Sequence, residues 1–177
     1  RVYSLEARTG RWRWQYEREA PDGFTIHGHA GTRLRDGVLY TGFSDGYLVA
    51  MQAANGEVLW ARSLAAASEQ FVDVDSTPTF YKDLLIASSY SGGLYGMAAK
   101  SGDVRWRINV EGAGSVSQIG ERLYFAAPRD GLAALTPQGQ ILWRQGLADA
   151  GELTTPIGTG PYLLFSGSRA GLFVVRR

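Results

Sequence analysis

Four tryptophans recur along the 177-residue chain, and each of them follows a glycine by four positions. The four pairs are Gly10 and Trp14, Gly56 and Trp60, Gly102 and Trp106, and Gly139 and Trp143. Successive tryptophans are separated by 46, 46 and 37 residues. Similarity at a period of this size is typical of architectures built from one repeated supersecondary unit. The fold must therefore be predicted from the repeat before any single motif is considered.

Each repeat contains short apolar runs that are separated by turn residues. The segment 46–64 has the sequence GYLVAMQAANGEVLWARSL, and related segments occupy 92–110 and 131–147. Runs of this kind, bounded by Gly, Asp and Asn, predict β-strands joined by tight turns. A first strand of small residues is predicted at 30–34, 76–80, 115–119 and 154–159. Each repeat is thus predicted to be a meander of four antiparallel strands.

A four-stranded meander of this length, repeated around an axis, is typical of a β-propeller blade. The chain is therefore predicted to be one all-β propeller region, 1–177, with about four blade equivalents, which makes it a partial or shortened propeller. Complete blades are predicted at about 30–64, 75–110 and 113–147, with partial blades at 1–19 and 153–177. The two partial blades could together supply one further blade with strands from both ends, and the sequence leaves open whether the ring closes within one chain or by pairing.

The composition excludes several classes of function. The chain has no cysteine, which excludes disulfide frameworks, cysteine-ligated zinc and a cysteine nucleophile. Its formal net charge is +1, whereas a nucleic-acid-binding domain is more often strongly basic, so no nucleic-acid partner is expected. No run of 18 apolar residues occurs, so no membrane-spanning helix is expected.

The repeated tryptophan has a structural explanation and a functional alternative. On the outermost strand of a blade, a tryptophan can cover a neighbouring turn and donate its indole N–H to a turn carbonyl. The alternative is an aromatic cage for a ligand. The arginines near the tryptophans either protect exposed edge strands from pairing or form a basic binding belt. These arginines are Arg13, Arg62, Arg105, Arg107 and Arg144.

Two pairs of polar residues are candidates for chemistry. His27 and His29 alternate along the chain and either bind a metal or belong to a polar loop. Asp73 and Asp75 alternate in the same way and form a turn-capping loop, a partner contact, or a metal or catalytic site. A calcium loop would need further oxygen ligands and a glycine for its bend. The chain has no nucleophile-elbow pattern and no phosphate-binding glycine loop, so no catalytic residue and no cofactor is expected.

The repeat is similar to that of the quinoprotein-type, or PQQ-like, propeller family. The shared pattern is an apolar strand, a small polar turn, a glycine and then a tryptophan, and it covers nearly the whole chain. The resemblance implies the fold but leaves the function open, because the family contains enzymes, assembly factors and sensor domains. Its enzymes typically offer a vicinal cysteine pair and a calcium site. The absence of cysteine therefore disfavours a quinoprotein dehydrogenase.

A more specific resemblance is to the BamB family, the lipoprotein propellers of the β-barrel assembly machinery. The stretch that carries it is FVDVDSTP at 71–78, followed in the same register by 90–94. In that family two acidic residues of this loop contact the POTRA region of the barrel subunit BamA. The residues implied here in the same contact are Asp73 and Asp75, and the adjacent Ser76 and Thr77 are predicted to bind the partner with them.

A second BamA-contacting patch of the family is a Leu-x-Leu-Arg-Gly loop that lies one blade earlier. Its nearest counterpart in this chain is formed by Phe24, Ile26 and His27. The apolar spacing is preserved, but His27 stands where the family has arginine. An imidazole can donate a hydrogen bond, but it cannot make the forked contact of a guanidinium with a carboxylate.

The resemblance implies a non-catalytic scaffold that binds the POTRA region of a BamA-like barrel subunit and nascent outer-membrane proteins. It implies a periplasmic location at the inner face of the outer membrane, with a lipid anchor absent from this chain. Since the family has eight blades, the chain is expected to be truncated, a shortened homologue, or a half-ring that pairs with a second copy. The alternative functions are a ligand-sensing or protein-interaction propeller of a larger extracytoplasmic receptor or kinase and, less favoured, a quinoprotein dehydrogenase.

Overall fold

The computed structural model describes residues 1–19, 30–65, 71–147 and 149–177. In this part of the chain the regular secondary structure consists of β-strands, which form five antiparallel sheets. No helix in the described residues is long and apolar enough to cross a membrane. The predicted all-β class, with sheets of four antiparallel strands, is confirmed.

The sheets are blades I to V in chain order, and consecutive strands are hydrogen-bonded neighbours in each of them. Blade I contains β1 (Val2–Leu5) and β2 (Trp12–Tyr16). Blade II contains β3 (Arg33–Arg35), β4 (Val38–Gly42), β5 (Tyr47–Gln52) and β6 (Val58–Ser63). Blade III contains β7 (Thr79–Tyr81), β8 (Leu84–Ser89), β9 (Gly93–Ala98) and β10 (Val104–Ile108). Blade IV contains β11 (Ser117–Ile119), β12 (Arg122–Ala127), β13 (Gly131–Leu135) and β14 (Ile141–Gln145), and blade V contains β15 (Ile157–Thr159), β16 (Tyr162–Gly167) and β17 (Gly171–Arg176).

The first strand of a blade is shorter than the sequence predicted, because it begins two or three residues later. In blade III the strand begins at Thr79 rather than at Ser76. The Ser76 hydroxyl bonds the main chain of Ser88 instead, accepting from its N–H at 2.9 Å and donating to its carbonyl at 3.1 Å. The N–H of Thr77 donates to the Ser115 hydroxyl of the next blade at 2.8 Å. Side-chain bonding therefore replaces the strand ladder at the start of this blade.

The hydrophobic core is divided among the junctions between neighbouring blades. At the junction of blades III and IV, one cluster contains Ile86 and Leu94 from one blade and Phe125 and Leu135 from the next. Further clusters join the other neighbouring pairs of blades. The central strands β8, β12 and β13 are almost wholly buried, which accounts for their continuous apolar sequences.

Each of three repeated tryptophans joins its own blade to the following one. The indole N–H of Trp14 donates to the Ala53 carbonyl at 3.0 Å, and that of Trp60 donates to Ala99 at 3.0 Å. Trp106 makes the equivalent bond to the Pro137 carbonyl at 2.8 Å. The expected bond from the indole to a turn carbonyl is thus present at three junctions.

The repeated glycine belongs to the same junction. A Cβ atom on Gly56 would lie 2.7 Å from the nearest ring atom of Trp14, and one on Gly102 would lie 2.8 Å from Trp60. The tryptophan that packs on each glycine therefore comes from the preceding blade, not from the strand four residues later.

At the other side of the sheets, the first strand of a blade donates a hydrogen bond to the residue that precedes the first strand of the next blade. The Arg33 guanidinium donates to the Pro78 carbonyl at 3.1 Å, and the Thr79 hydroxyl donates to the Val116 carbonyl at 2.6 Å. The hydroxyl of Ser117 donates to the carbonyl of Pro156 in the next blade. Blades II and III, and likewise blades III and IV, are therefore connected both at their first strands and at a tryptophan.

Four of the five arginines near the tryptophans are paired with groups of their own or the next blade. Arg62 lies 3.3 Å from Asp103 in the next blade and donates to the Gly102 carbonyl at 3.0 Å. Arg107 donates to the carbonyl of Gly92 at 2.8 Å. The ion pairs of the remaining two are Arg105 with Asp83 at 2.7 Å and Arg144 with Asp130 at 3.2 Å. These contacts favour a structural role at the blade edges over a free basic belt.

The two partial blades form separate sheets within the described residues. β1 pairs with β2, β15 to β17 form their own sheet, and no ladder joins the two sets within the described residues. The turn after β1 contains Gly10, as the turn after β5 contains Gly56, and β17 opens at Gly171 as β13 opens at Gly131. β1 and β17 thus both occupy the third position of a blade, and five strands exceed its four positions. A ring completed by two copies stays a prediction. Joining the first blade of one copy to the last blade of another would also bring five strands to the four positions of a blade.

Candidate partner-binding site

The predicted acidic stretch forms a connector between blades II and III, and residues 71–78 of it, the acidic connector, are described. Both blades hold its main chain. The N–H of Val74 donates to the carbonyl of Phe43 in blade II at 3.1 Å, and the N–H of Tyr90 in blade III donates to the carbonyl of Asp73 at 3.0 Å. The hydroxyl of Ser89 donates to the Val72 carbonyl at 2.9 Å. The connector is therefore a fixed feature of the junction between these blades.

Val74 anchors the connector in the core. Its side chain is buried in the cluster that joins blades II and III, beside Leu48 and Leu85. Gly42, at the end of β4, lies directly against it, so that a Cβ on Gly42 would overlap the Val74 carbonyl oxygen and side chain. The connector takes this position only because Gly42 has no side chain.

Ser76 and Thr77, which were also predicted to bind the partner, take part in contacts inside the protein. Ser76 is buried and bonded to Ser88. The hydroxyl of Thr77 accepts a hydrogen bond from the N–H of Gly31 in blade II at 3.1 Å. Both residues position the connector, and direct contact of either with a partner stays a prediction.

The two aspartates of the connector have different environments. Asp73 is only 1% exposed, and neither of its carboxylate oxygens has a hydrogen-bond partner in the part of the chain that the structure describes. Burial of a carboxylate without such partners costs free energy. Asp75 is partly exposed. Of the two carboxylates, Asp75 is therefore the more accessible one.

Burial is also the largest influence on the acidity of Asp75. It raises the pKa of the Asp75 carboxyl above its ordinary value of 3.8, and the charge of Asp73 raises this pKa as well. A hydrogen bond to its own backbone acts in the opposite direction. The connector therefore has a carboxylate that takes up a proton more readily than an ordinary aspartate.

The raised pKa of Asp75 predicts a pH dependence of stability. Because the folded pKa lies above the unfolded one, Asp75 favours folding at low pH, and this contribution is lost as the pH rises through the folded pKa. Asp75→Asn stays neutral and should lack this loss. We expect its free energy of unfolding to rise relative to wild type between about pH 4 and pH 7, measured by urea denaturation. If the free energies of unfolding of Asp75→Asn and wild type differed by a constant amount across that range, the pKa of Asp75 would not be raised by folding.

A cavity of about 350 Å³ lies beside the acidic connector, between blades I and II. Asp73 and Val74 form part of its wall, together with Thr41 and Ser44 of blade II and Tyr3 of blade I. Within the described residues no group of three or more His, Cys, Asp or Glu side chains converges to hold a metal ion. The second predicted patch, Phe24, Ile26 and His27, lies outside the described residues, as do His29 and the rest of 20–29.

The repeat and the acidic connector together agree with a comparison against known families. A family model described as "Outer membrane protein assembly factor BamB" matches residues 1–145. The chain belongs to the BamB family. BamB of Kangiella koreensis is 29% identical over 178 residues, which cover 92% of this chain and 46% of that protein. BamB of Legionella pneumophila is 30% identical over 127 residues, which cover 68% of this chain and 33% of that protein. The chain thus spans less than half the length of these relatives.

Solved structures support the fold. The crystal structure of BamB from Moraxella catarrhalis matches with a TM-score of 0.80 and 24% identity, covering 99% of this chain and 58% of that one. The quinohemoprotein alcohol dehydrogenase ADHIIG from Pseudomonas putida HK5 matches with a TM-score of 0.73 and 17% identity, covering 98% of this chain and 37% of that one. The predicted propeller of PQQ-like repeats is confirmed, but the fold alone does not separate BamB from the dehydrogenase.

Proposed function

We propose that this chain is part of a non-catalytic BamB scaffold that helps to assemble outer-membrane β-barrel proteins. It works in the periplasm at the inner face of the outer membrane, and its partners are the POTRA region of a BamA-like subunit and nascent outer-membrane proteins. Membership of the BamB family supports this role, since the relatives are named assembly factors. The observation that carries it is the acidic connector, which holds a partly exposed carboxylate on a fixed main chain.

Asp75 makes the direct contact in this proposal. Its carboxylate receives a cationic side chain of the barrel subunit, and the main-chain bonds of the connector hold it in place before the partner arrives. A preformed site reduces the entropy that is lost on binding. Asp73 lies beneath the surface and acts through its charge, which adds to the negative potential at Asp75.

Reversal of this charge should weaken the complex. We expect Asp75→Arg to reduce the affinity for the purified periplasmic part of the barrel subunit by at least about tenfold, because a cation would then face a cation. The measurement is surface plasmon resonance at several salt concentrations. The difference between the variant and wild type should shrink as salt screens the charges.

Glu152→Arg is the matched control for this charge change. Glu152 is exposed in the segment between blades IV and V, away from the acidic connector, and its replacement changes the net charge by the same amount. We expect this variant to bind like wild type. Equal binding by Asp75→Arg and wild type would show that Asp75 does not make the contact. An equal loss of affinity in both variants would show that the effect depends only on the overall charge of the chain.

A further inference from the structure

A cavity of about 330 Å³ lies between blades II and III, at the ends of their strands that are remote from the acidic connector. The connector lies beside the turns after β4 and β8, whereas the cavity opens beside the turns before β4 and β10. Its walls are largely apolar and include Val38, Leu59 and the ring of Trp60 from blade II and Ala99 from blade III. Ligand pockets typically measure about 300–1,000 Å³ and combine apolar walls with a few polar groups. This cavity therefore has the size for one small ring system.

Tyr40 gives the cavity a buried polar group. The residue is only 5% exposed, and its ring packs against those of Trp60 and Phe80 at centroid distances of 6.0 and 5.2 Å. Tyr40 lines the cavity, and its hydroxyl has no hydrogen-bond partner within the described residues. Burial raises the pKa of Tyr40 above its ordinary value of 10.0, and the charges of Arg35 and Asp36 at the cavity mouth act on this pKa in opposite directions. The hydroxyl therefore stays protonated at neutral pH and lies near the charged mouth.

The charge at this mouth that lacks a counterion is positive. Asp83 accepts a hydrogen bond from Arg105 at 2.7 Å, and this bond lowers the pKa of Asp83. Arg35 lies 3.5 Å from the carboxylate of Asp36. Lys100 also lines the cavity, is exposed, and forms no ion pair with the described part of the chain. A ligand with an anionic group would therefore meet an unpaired ammonium at the mouth.

The equivalent cavity between blades III and IV, of about 400 Å³, has other residues at three positions. The positions correspond through strand pairing within each blade and through the carbonyl that each indole N–H contacts. Ile86, Arg105 and Gln138 stand where the first cavity has Tyr40, Leu59 and Lys100. Blades III and IV pack together without a tyrosine, leucine and lysine at these positions, so the architecture does not require them.

We propose that the cavity between blades II and III binds a small aromatic carboxylate. The ring of the ligand lies beside the indole of Trp60 and covers Val38 and Leu59. Its carboxylate lies at the mouth, where it pairs with Lys100 and accepts a hydrogen bond from the hydroxyl of Tyr40. This site goes beyond the proposed function and shares no residue with the acidic connector, so it does not depend on the contact made by Asp75.

Indole-3-acetate is a suitable probe for this site. It is added to the isotope-labelled 177-residue chain, and the assigned indole N–H signals are followed by NMR. We expect the signal of Trp60 to shift saturably and that of Trp106 to stay in place, because the cavity beside Trp106 has Ile86 and Gln138 at the two polar positions. Indole-3-acetamide, which keeps the ring but lacks the charge, should bind at least about threefold more weakly.

Two variants test the polar contacts separately. Tyr40→Phe keeps the ring but removes the hydroxyl, and we expect it to weaken the binding of indole-3-acetate by about threefold to tenfold. Lys100→Gln should remove the preference for the acid over the amide. Arg8→Gln is the matched control, since Arg8 is exposed in the equivalent turn of blade I and its replacement removes the same charge. This variant should bind indole-3-acetate like wild type.

Four results would overturn the proposal. The first is no saturable shift of the Trp60 signal at millimolar indole-3-acetate, and the second is an equal shift of the Trp106 signal. The third is a preference for the acid over the amide that persists in Lys100→Gln. The fourth is equal binding of indole-3-acetate by Tyr40→Phe and wild type.

Discussion

Trp106→Ala is expected to lower the free energy of unfolding by about 3–4 kcal/mol. The substitution removes the indole that packs against the core cluster of blades III and IV and covers Gly139 of the next blade. It also removes the donor of the 2.8 Å bond to the Pro137 carbonyl. The substitution therefore removes packing and a hydrogen bond between blades III and IV. Urea denaturation of the purified chain, followed by circular dichroism, measures the effect.

Trp12→Ala is the matched control, because it deletes the same side chain from the same type of strand. Trp12 is 64% exposed, and its ring packs edge-on against that of Tyr3 at a centroid distance of 5.1 Å. We expect this variant to cost less than about 1 kcal/mol. Trp106→Phe, which keeps much of the packing but loses the N–H, should fall between the two. Equal losses in Trp12→Ala and Trp106→Ala would show that the indole contact with the next blade is unimportant for stability.

Gly42→Ala is expected to destabilise the protein by about 3 kcal/mol and to weaken partner binding as well. The added methyl group would overlap the main chain of the acidic connector at Val74, and main chain held from both blades cannot yield as a flexible side chain does. The connector must shift, and Asp75 must shift with it. Urea denaturation and surface plasmon resonance with the barrel subunit measure the two effects.

Gly146→Ala provides the control for the change of residue type. Gly146 has no atom within 4 Å of its Cβ position and no positive φ, so an alanine fits there without strain. We expect its stability to be within about 0.5 kcal/mol of wild type. If Gly42→Ala also unfolded like wild type, the connector would not be fixed against β4. If Gly42→Ala bound the barrel subunit normally despite its instability, the position of Asp75 would not depend on this contact.

The architecture was predictable because the repeat is periodic. Trp60 and Gly56 recur with constant spacing, and this spacing predicts one supersecondary unit used several times. The sequence did not show which glycine each tryptophan contacts, because the nearest glycine along the chain belongs to the same blade. The partner of Trp60 is Gly102 in the next blade. That pairing depends on how neighbouring sheets stack, which a single repeat does not encode.

The candidate site was predictable in position but not in detail. Asp73 and Asp75 lie on either side of Val74, and no sequence pattern distinguishes one carboxylate from the other. Their difference follows from tertiary contacts, since the main chain is held between Phe43 and Tyr90. Gly42 was missed as a determinant of the site because it resembles any glycine at the end of a strand. Ser88 was missed because a buried serine beside an apolar run has no distinctive pattern.

The blade junctions have a direction, and this has a consequence for folding. Trp14, Trp60 and Trp106 each donate to a carbonyl in the blade that follows in the sequence. When the chain emerges N-terminus first, a blade completes its outer contact only after the next blade has formed. Stability in such an array is approximately a sum of nearest-neighbour terms. Nascent intermediates of increasing length should therefore gain protection one blade behind the growing end, and each newest blade should be the one most exposed to proteolysis.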